Sequence, residues 1–262
     1  MRESESGYRV VLVLAGHDPS GAAGLQADIE TVTAHGCRCV SVITSLTAQN
    51  TSAFAALTPQ SVAQFEQQYN LLLDDISVDA CKIGLIGDLG LAESICRLLD
   101  RIPGIPRVLD PVMQSGTGTA LADPALREFM ACELLKKVDV CTPNTSEARL
   151  LAGLDDTHSA GSKLVGAGCP NVLVTGADNA DIVVKNILFQ GSTEPVQFEW
   201  ERLPGNYHGS GCTLASAIAS QLATGADVMS AVTSAQEYTW QALKHAARIG
   251  TDQLHPDRFW SR

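Results

Sequence analysis

Positive charge is scarce in this chain of 262 residues: 18 Lys plus Arg stand against 29 Asp plus Glu, a net charge of −11. That deficit excludes a protein that coats nucleic acid, whose affinity comes from cations laid on phosphates. It leaves room for a small anionic ligand held by backbone N–H groups. Long apolar runs are missing too. A membrane span needs about 18 or more such residues, and the clearest run, Val10-Val11-Leu12-Val13-Leu14-Ala15, is only strand-sized. Neither a membrane nor a nucleic acid is therefore expected as a partner. The start, Met1-Arg2-Glu3-Ser4-Glu5-Ser6, lacks the basic region of a signal peptide, so a cytoplasmic location is expected. The eight cysteines contain no Cys-x-x-Cys pair, and apart from Cys37-x-Cys39 they are scattered. Buried, reduced thiols are the better expectation than a metal site or a disulfide framework. Walker A and the dinucleotide fingerprint are also absent.

What is present is a chain with 45% hydrophobic residues, long enough to bury roughly three quarters of its unfolded surface without a staple. No linker, repeat or low-complexity segment interrupts it, so one domain over 1–262 is expected. Short apolar runs alternate with amphipathic stretches. Strands are expected over 10–15, 39–44, 80–83, 108–109, 138–141 and 172–174, with an antiparallel edge pair over 182–189 and 196–200. Helices are expected over 25–35, 91–99, 124–135, 211–223 and 228–249, and another opened by Thr58 as N-cap with Pro59 at N1. Such alternation implies an α/β fold with a largely parallel sheet covered on both faces. Ligands of such sheets bind beyond the carboxyl ends of the strands.

Four clusters fall at those ends. After the first strand comes Gly16-His17-Asp18-Pro19-Ser20-Gly21-Ala22-Ala23-Gly24, leading to a helix that carries Asp28. Its glycines permit tight turns and close backbone approach, although a plain connection reads the same way. After the second strand stands Thr47-Ala48-Gln49-Asn50-Thr51, which can read the edge of a heterocycle or merely satisfy its own backbone. Two further strands deliver Asp110 and then Thr142-Pro143-Asn144-Thr145-Ser146-Glu147. Carboxylates and an amide so placed suit Mg²⁺ held through its waters, while Thr145 and Ser146 also suit a helix cap. Last, Gly209-Ser210-Gly211-Cys212-Thr213 opens an apolar helix. Its exposed N–H groups and dipole would make an anion hole for phosphoryl transfer, and a thiol in that first turn is expected below its free pKa of about 8.5.

In this order the clusters resemble the hydroxymethylpyrimidine/phosphomethylpyrimidine kinases of thiamine biosynthesis. The resemblance rests on residues 15–28, Ser41-Val42-Ile43-Thr44-Ser45-Leu46-Thr47-Ala48-Gln49-Asn50-Thr51, Lys82-Ile83-Gly84-Leu85, Val108-Leu109-Asp110-Pro111-Val112-Met113, Thr142-Pro143-Asn144-x-x-Glu147 and His208-Gly209-Ser210-Gly211-Cys212-Thr213. It implies a ribokinase-like three-layer α/β/α sandwich with a central, mostly parallel sheet. It implies ATP and Mg²⁺, a small pyrimidine substrate and a homodimer, and leaves open whether a monovalent cation assists. Carried over by residue, Asp28 would meet the substrate hydroxymethyl group and Gln49 the ring edge, with Gly16, Ala23, Leu85 and Val112 lining the pocket. Asp110, Asn144 and Glu147 would organise Mg²⁺ and the ATP phosphates, the metal on Asp110 and Glu147 through water. Gly209, Ser210 and Gly211 would form the anion hole with Cys212, which would be the general base.

Three departures from the family pattern stand out. Thr175-Gly176-Ala177 replaces a frequent Lys-Gly-Gly, leaving Thr175 and Gly176 as the phosphate contacts there. Leu85 replaces a common methionine, and Gly21-Ala22 replaces a frequent Gly-Gly, which matters only if the second position needs a positive φ. A pyridoxal kinase and a catalytically silent pyrimidine sensor are the rival functions. A hydrolase built on Cys212 and His208 is disfavoured, because a nucleophile elbow needs a separate oriented base.

Overall fold

A computed structural model describes residues 7–116, 118–179, 182–191 and 193–262; the polar start over 1–6 lies outside the described residues. The first apolar run becomes β1 (Val10–His17), buried along its length except at its last residue. A strand so uniformly apolar belongs in the middle of a sheet covered on both faces. It is flanked by β2 (Arg38–Gln49) and β4 (Ala80–Ile83), and the sheet continues through β5 (Arg107–Leu109), β6 (Val140–Cys141) and β7 (Asn171–Val174), all parallel. Antiparallel strands close both margins: β3 (Phe54–Pro59) on β2, and β8 (Val183–Gln190) followed by β9 (Val196–Glu201) on β7. The order is β3-β2-β1-β4-β5-β6-β7-β8-β9. Progression reverses between β1 and β4, the switch point at which ligands of such sheets settle.

Side-chain alternation divides the core into two layers. Leu12 and Leu14 of β1 face one side with Phe65, Leu91, Leu126, Leu151 and Leu164. These come from α2 (Val62–Asp75), α3 (Leu89–Arg101), α4 (Pro124–Phe129), α5 (Thr145–Ala152) and α6 (Thr157–Gly166). Val11, Val13 and Ala15 face the other side with Val32, Ala215, Ile218 and Val232. That layer is built from α1 (Gly24–Ala34), α7 (Ser210–Ala223) and α8 (Val228–Lys244). The three-layer α/β/α sandwich is thus as expected. No helix among the described residues is long and apolar enough to cross a membrane.

Several boundaries differ from expectation. β2 runs five residues past Thr44, so Thr47, Ala48 and Gln49 are strand residues paired with β3 rather than a loop. Thr58 and Pro59 end β3, and the cap of α2 is Ser61, whose side chain accepts from the Gln64 N–H. A proline can finish an edge strand as readily as open a helix. α8 stops at Lys244, ahead of the expected 249, and α6 was not anticipated at all. Asn144 rather than Thr145 or Ser146 caps α5, in a capping box with Glu147.

Candidate active site

A cavity of about 960 Å³ opens at the carboxyl ends of the parallel strands. One wall is the loop over 16–24. Asp18 organises that loop: its carboxylate accepts from the Ser20 and Ala23 N–H groups, each at 2.9 Å, and from the Ser20 hydroxyl at 2.8 Å. His208 Nε2 lies 3.3 Å from the same carboxylate. Burial pushes Asp18 up, but these partners outweigh it and hold the carboxyl at about 2. Ala22 keeps a negative φ while Gly21 takes +78°, so the exchange of the second glycine costs no backbone strain. Gly24 at φ +57° and Gly209 at +84° cross closely packed backbone; a Cβ on Gly209 would run into the Ala22 carbonyl. Loop and α7 start are therefore interlocked.

α7 begins without a side-chain cap, and the N–H groups of Ser210, Gly211 and Cys212 find no acceptor among the described residues. Three orphan donors with the helix dipole behind them face the cavity, the arrangement that an anion would satisfy. Cys212 is half-buried, and its thiol lies beside the Asp110 carboxylate, just past the end of β5. The thiol does not behave as expected for a helix start. Burial pushes it up to about 12; Lys82 opposes that, while Asp110 and Asp28 reinforce it. Desolvation of the anion outweighs the dipole, and the two neighbouring carboxylates add to it.

Asp28 requires a correction as well. Its carboxylate has no exposed surface and does not line the cavity. It accepts from Lys82 Nζ at 2.8 Å and from the Ser216 hydroxyl at 2.7 Å, so it does not meet a substrate directly. Lys82 went unassigned in the sequence. The signal was there: a cation at the third position of the otherwise apolar Ala80-Cys81-Lys82-Ile83, buried at all four positions. Arg258 was missed entirely; nearly enclosed, it donates to Thr213 Oγ1 and Glu30 Oε2, each at 3.0 Å, and to the Ala22 carbonyl.

On the opposite side, Glu147 accepts from the Asn144 N–H at 2.9 Å and the Met113 N–H at 3.2 Å, which ties the ends of β5 and β6 together. Burial, then Asp110, pushes the Glu147 carboxyl up to about 8. Burial likewise lifts Asp110 to about 6, against Lys82 and with Asp28. One Asp110 oxygen is buried without a hydrogen-bond partner. Two buried acids with an unused oxygen fit a divalent cation that keeps most of its waters. Among the described residues no three His, Cys, Asp or Glu side chains gather as a full ligand set.

Asn144, Glu147 and Thr175 line the cavity, whereas Gly176 does not. The Gly176 N–H is turned to Asn186 Oδ1 at 3.0 Å, so the expected phosphate contact at this residue is not formed by that donor. Gly16, Ala23, Leu85, Val112 and Gln49 all face the cavity as expected. Gln49 Nε2 donates to Thr47 Oγ1 at 2.9 Å, which fixes its amide at the tip of β2. Its neighbours split between the two expectations: Asn50 only closes the β2–β3 turn, and Thr51 is buried against Thr251 and Gln253.

A three-layer sandwich with an uncapped helix start facing paired carboxylates across one cavity defines a ribokinase-like phosphotransferase. Residues 18–257 match the family model described as phosphomethylpyrimidine kinase, and the chain belongs to that family. It is 35% identical over 261 residues to the hydroxymethylpyrimidine/phosphomethylpyrimidine kinase of Streptomyces coelicolor, covering 96% of this chain and 95% of that one. It is 37% identical over 243 residues to a probable chloroplastic thiamine biosynthetic bifunctional enzyme of Oryza sativa subsp. japonica; the match covers 90% of this chain but only 44% of that protein. Among solved structures, pyridoxal kinase from Staphylococcus aureus in complex with ADP superposes with TM-score 0.89 at 27% identity, covering 96% and 94% of the two chains. Phosphomethylpyrimidine kinase from Clostridium difficile 630 does so with TM-score 0.78 at 32% identity, covering 90% and 99%.

Proposed function

We propose that this chain, working as one domain, transfers the γ-phosphoryl group of ATP to the hydroxymethyl oxygen of 4-amino-5-hydroxymethyl-2-methylpyrimidine. A second transfer to the monophosphate would give the diphosphate used to build thiamine. The observation that carries the proposal is Cys212 at the uncapped start of α7, beside Asp110. The acceptor hydroxyl gives its proton to the Cys212 sulfur while the thiol's own proton passes to Asp110. Burial pushes the thiol up to about 12 and the carboxyl up to about 6, so the relay starts from a protonated sulfur beside an ionisable acid and needs the hydroxyl proton to arrive as the thiol's own proton leaves. The freed oxygen lone pair forms the bond to phosphorus as the bond to the β-phosphate oxygen breaks and ADP leaves. N–H groups of Ser210, Gly211 and Cys212 face the charge on the moving phosphoryl group, the main demand of such reactions. Mg²⁺, held by Asp110 and Glu147 through water, would supply the remaining neutralisation of phosphate charge.

Gln49 would read the pyrimidine edge. Gln49→Ala is expected to raise the KM for the pyrimidine about tenfold, as loss of one hydrogen bond warrants, with the KM for ATP unchanged. A second reading, pyridoxal phosphorylation, draws on the likeness to the Staphylococcus aureus pyridoxal kinase. Both are tested by incubating the protein with ATP, Mg²⁺ and each of hydroxymethylpyrimidine, its monophosphate and pyridoxal, and reading product masses. Product from both pyrimidines supports the proposal. Product from pyridoxal alone moves the function to the second reading, and binding without product leaves a sensor.

A further inference from the structure

The acceptor side of the cavity rests on a buried charge that the chemistry above does not use. Lys82 Nζ makes a single hydrogen bond, to Asp28, and both side chains are fully enclosed. Burying such a pair gains little stability over an apolar pair of the same volume, because desolvation offsets the attraction. Its placement is another matter. Asp28 and Gly24 stand four residues apart on α1, and Ser216 and Cys212 four apart on α7, so each pair lies on one helix face. The lower rung of this ladder is the Ser216 hydroxyl on Asp28 at 2.7 Å. The upper rung is the Gly24 N–H directed at the Cys212 sulfur. Lys82 enters from β4, where Gly84, two residues on and thus on the same face, leaves it space: a Cβ there would sit 2.6 Å from Nζ. The ammonium thus lies in the cavity floor, within electrostatic reach of Cys212 and Asp110.

We infer that Lys82 is a positioning residue for transfer: tethered by Asp28, its ammonium is the fixed cation of the acceptor side, acting through Cys212 and Asp110 on the negative charge that passes across them. This rests on the proposed role of Cys212. The nucleotide side would have Mg²⁺ and helix N–H groups; on the acceptor side Arg258 is also enclosed, but its guanidinium is spent on Thr213, Glu30 and the Ala22 carbonyl, which leaves Lys82 as the enclosed cation that acts on Cys212 and Asp110. A lysine with no accessible surface acts across its neighbours rather than by contact. Two of its three N–H donors have no other partner among the described residues, so its field is directed rather than spent.

The test uses the full chain and whichever primary alcohol the unaltered protein phosphorylates, so that failure of the pyrimidine assignment shows in the unaltered protein and failure of this inference shows in the variants. Lys82→Met alone leaves Asp28 buried and unpaired and can fail to fold, so the decisive protein is Lys82→Met combined with Asp28→Asn, which removes both charges. Its melting temperature and its KM for ATP are expected near those of the unaltered protein, the latter within about threefold, with kcat lower by roughly 10²-fold, the size of one lost preorganised electrostatic contact. A double variant with kcat within about threefold would make the pair mere packing and overturn the inference. Asp28→Asn alone keeps the ammonium and an oxygen for it, and should lose less than about tenfold in kcat. A larger loss there than in the double variant would assign the effect to the acid and overturn the inference as well. If no alcohol is phosphorylated by the unaltered protein, both the proposed function and this inference fall.

Discussion

Cys212 shows how position and surroundings compete over one thiol. A helix start lowers a thiol pKa by favouring the anion, yet burial, with two acids reinforcing it, reverses that here and pushes it up to about 12. Cys212→Ala is therefore expected to keep the binding of nucleotide and pyrimidine while kcat falls by roughly 10²–10⁴-fold, the range for a lost general base; separate measurement of kcat and KM checks it. Asp18 makes a prediction of opposite character. Its carboxyl, at about 2 when folded against 3.8 when free, stabilises the fold fully above the free value. That contribution, about 2 kcal/mol, disappears as pH falls from near 4 through 2. Asp18→Asn should lose the stability at neutral pH and show a flatter acid limb, read from melting curves between pH 2 and 5. Single residues were most legible where the chain context is short: Gln49 ends β2, Asp110 follows β5 directly and Glu147 lies in the first turn of α5, and all three face the cavity. The reading failed for Asp28, whose partners Lys82 and Ser216 lie 54 and 188 residues away.

Elements were most readable where their apolar runs are longest. β1 and α7 came out within two residues of expectation because every competing signal agrees. β2 was cut short because its second half alternates with polar residues, and only its pairing with β3 makes that half a strand. The α7 start illustrates an element whose function depends on its neighbour. Gly209 takes φ +84° against the Ala22 carbonyl, a combination no side chain tolerates. Gly209→Ala is expected to cost about 2–4 kcal/mol, within the range of strained or overpacked sites. The same variant should lose kcat even at temperatures where it stays folded, since the three N–H donors turn with the cap. Circular dichroism melting and turnover below the melting point separate the two effects.

At the scale of the whole molecule, the alternation of strands and helices was enough to give the layers and the largely parallel sheet. The closing segment was not readable: residues 246–262 contain no long element, yet Leu254 pairs with Asn206 and His208, and Gln253 and Thr251 with Thr51. Arg258 is its anchor, reaching α1, α7 and the loop over 16–24 at once. Arg258→Met should lower stability by about 2–4 kcal/mol, the penalty of leaving buried acceptors and Glu30 without their partner; denaturant titration measures it. That anchor also bears on how the molecule is made. Synthesis runs from the amino end, so the loop over 16–24 emerges well before Gly209, Thr213 and finally Arg258, which back it. Until then the Ala22 carbonyl has no guanidinium, and the pocket has a wall without a backing. Ribosome-bound chains that stop short of residue 258 should thus hold the sheet but a 16–24 loop without its backing, so that this wall of the cavity is complete only once Arg258 has been made.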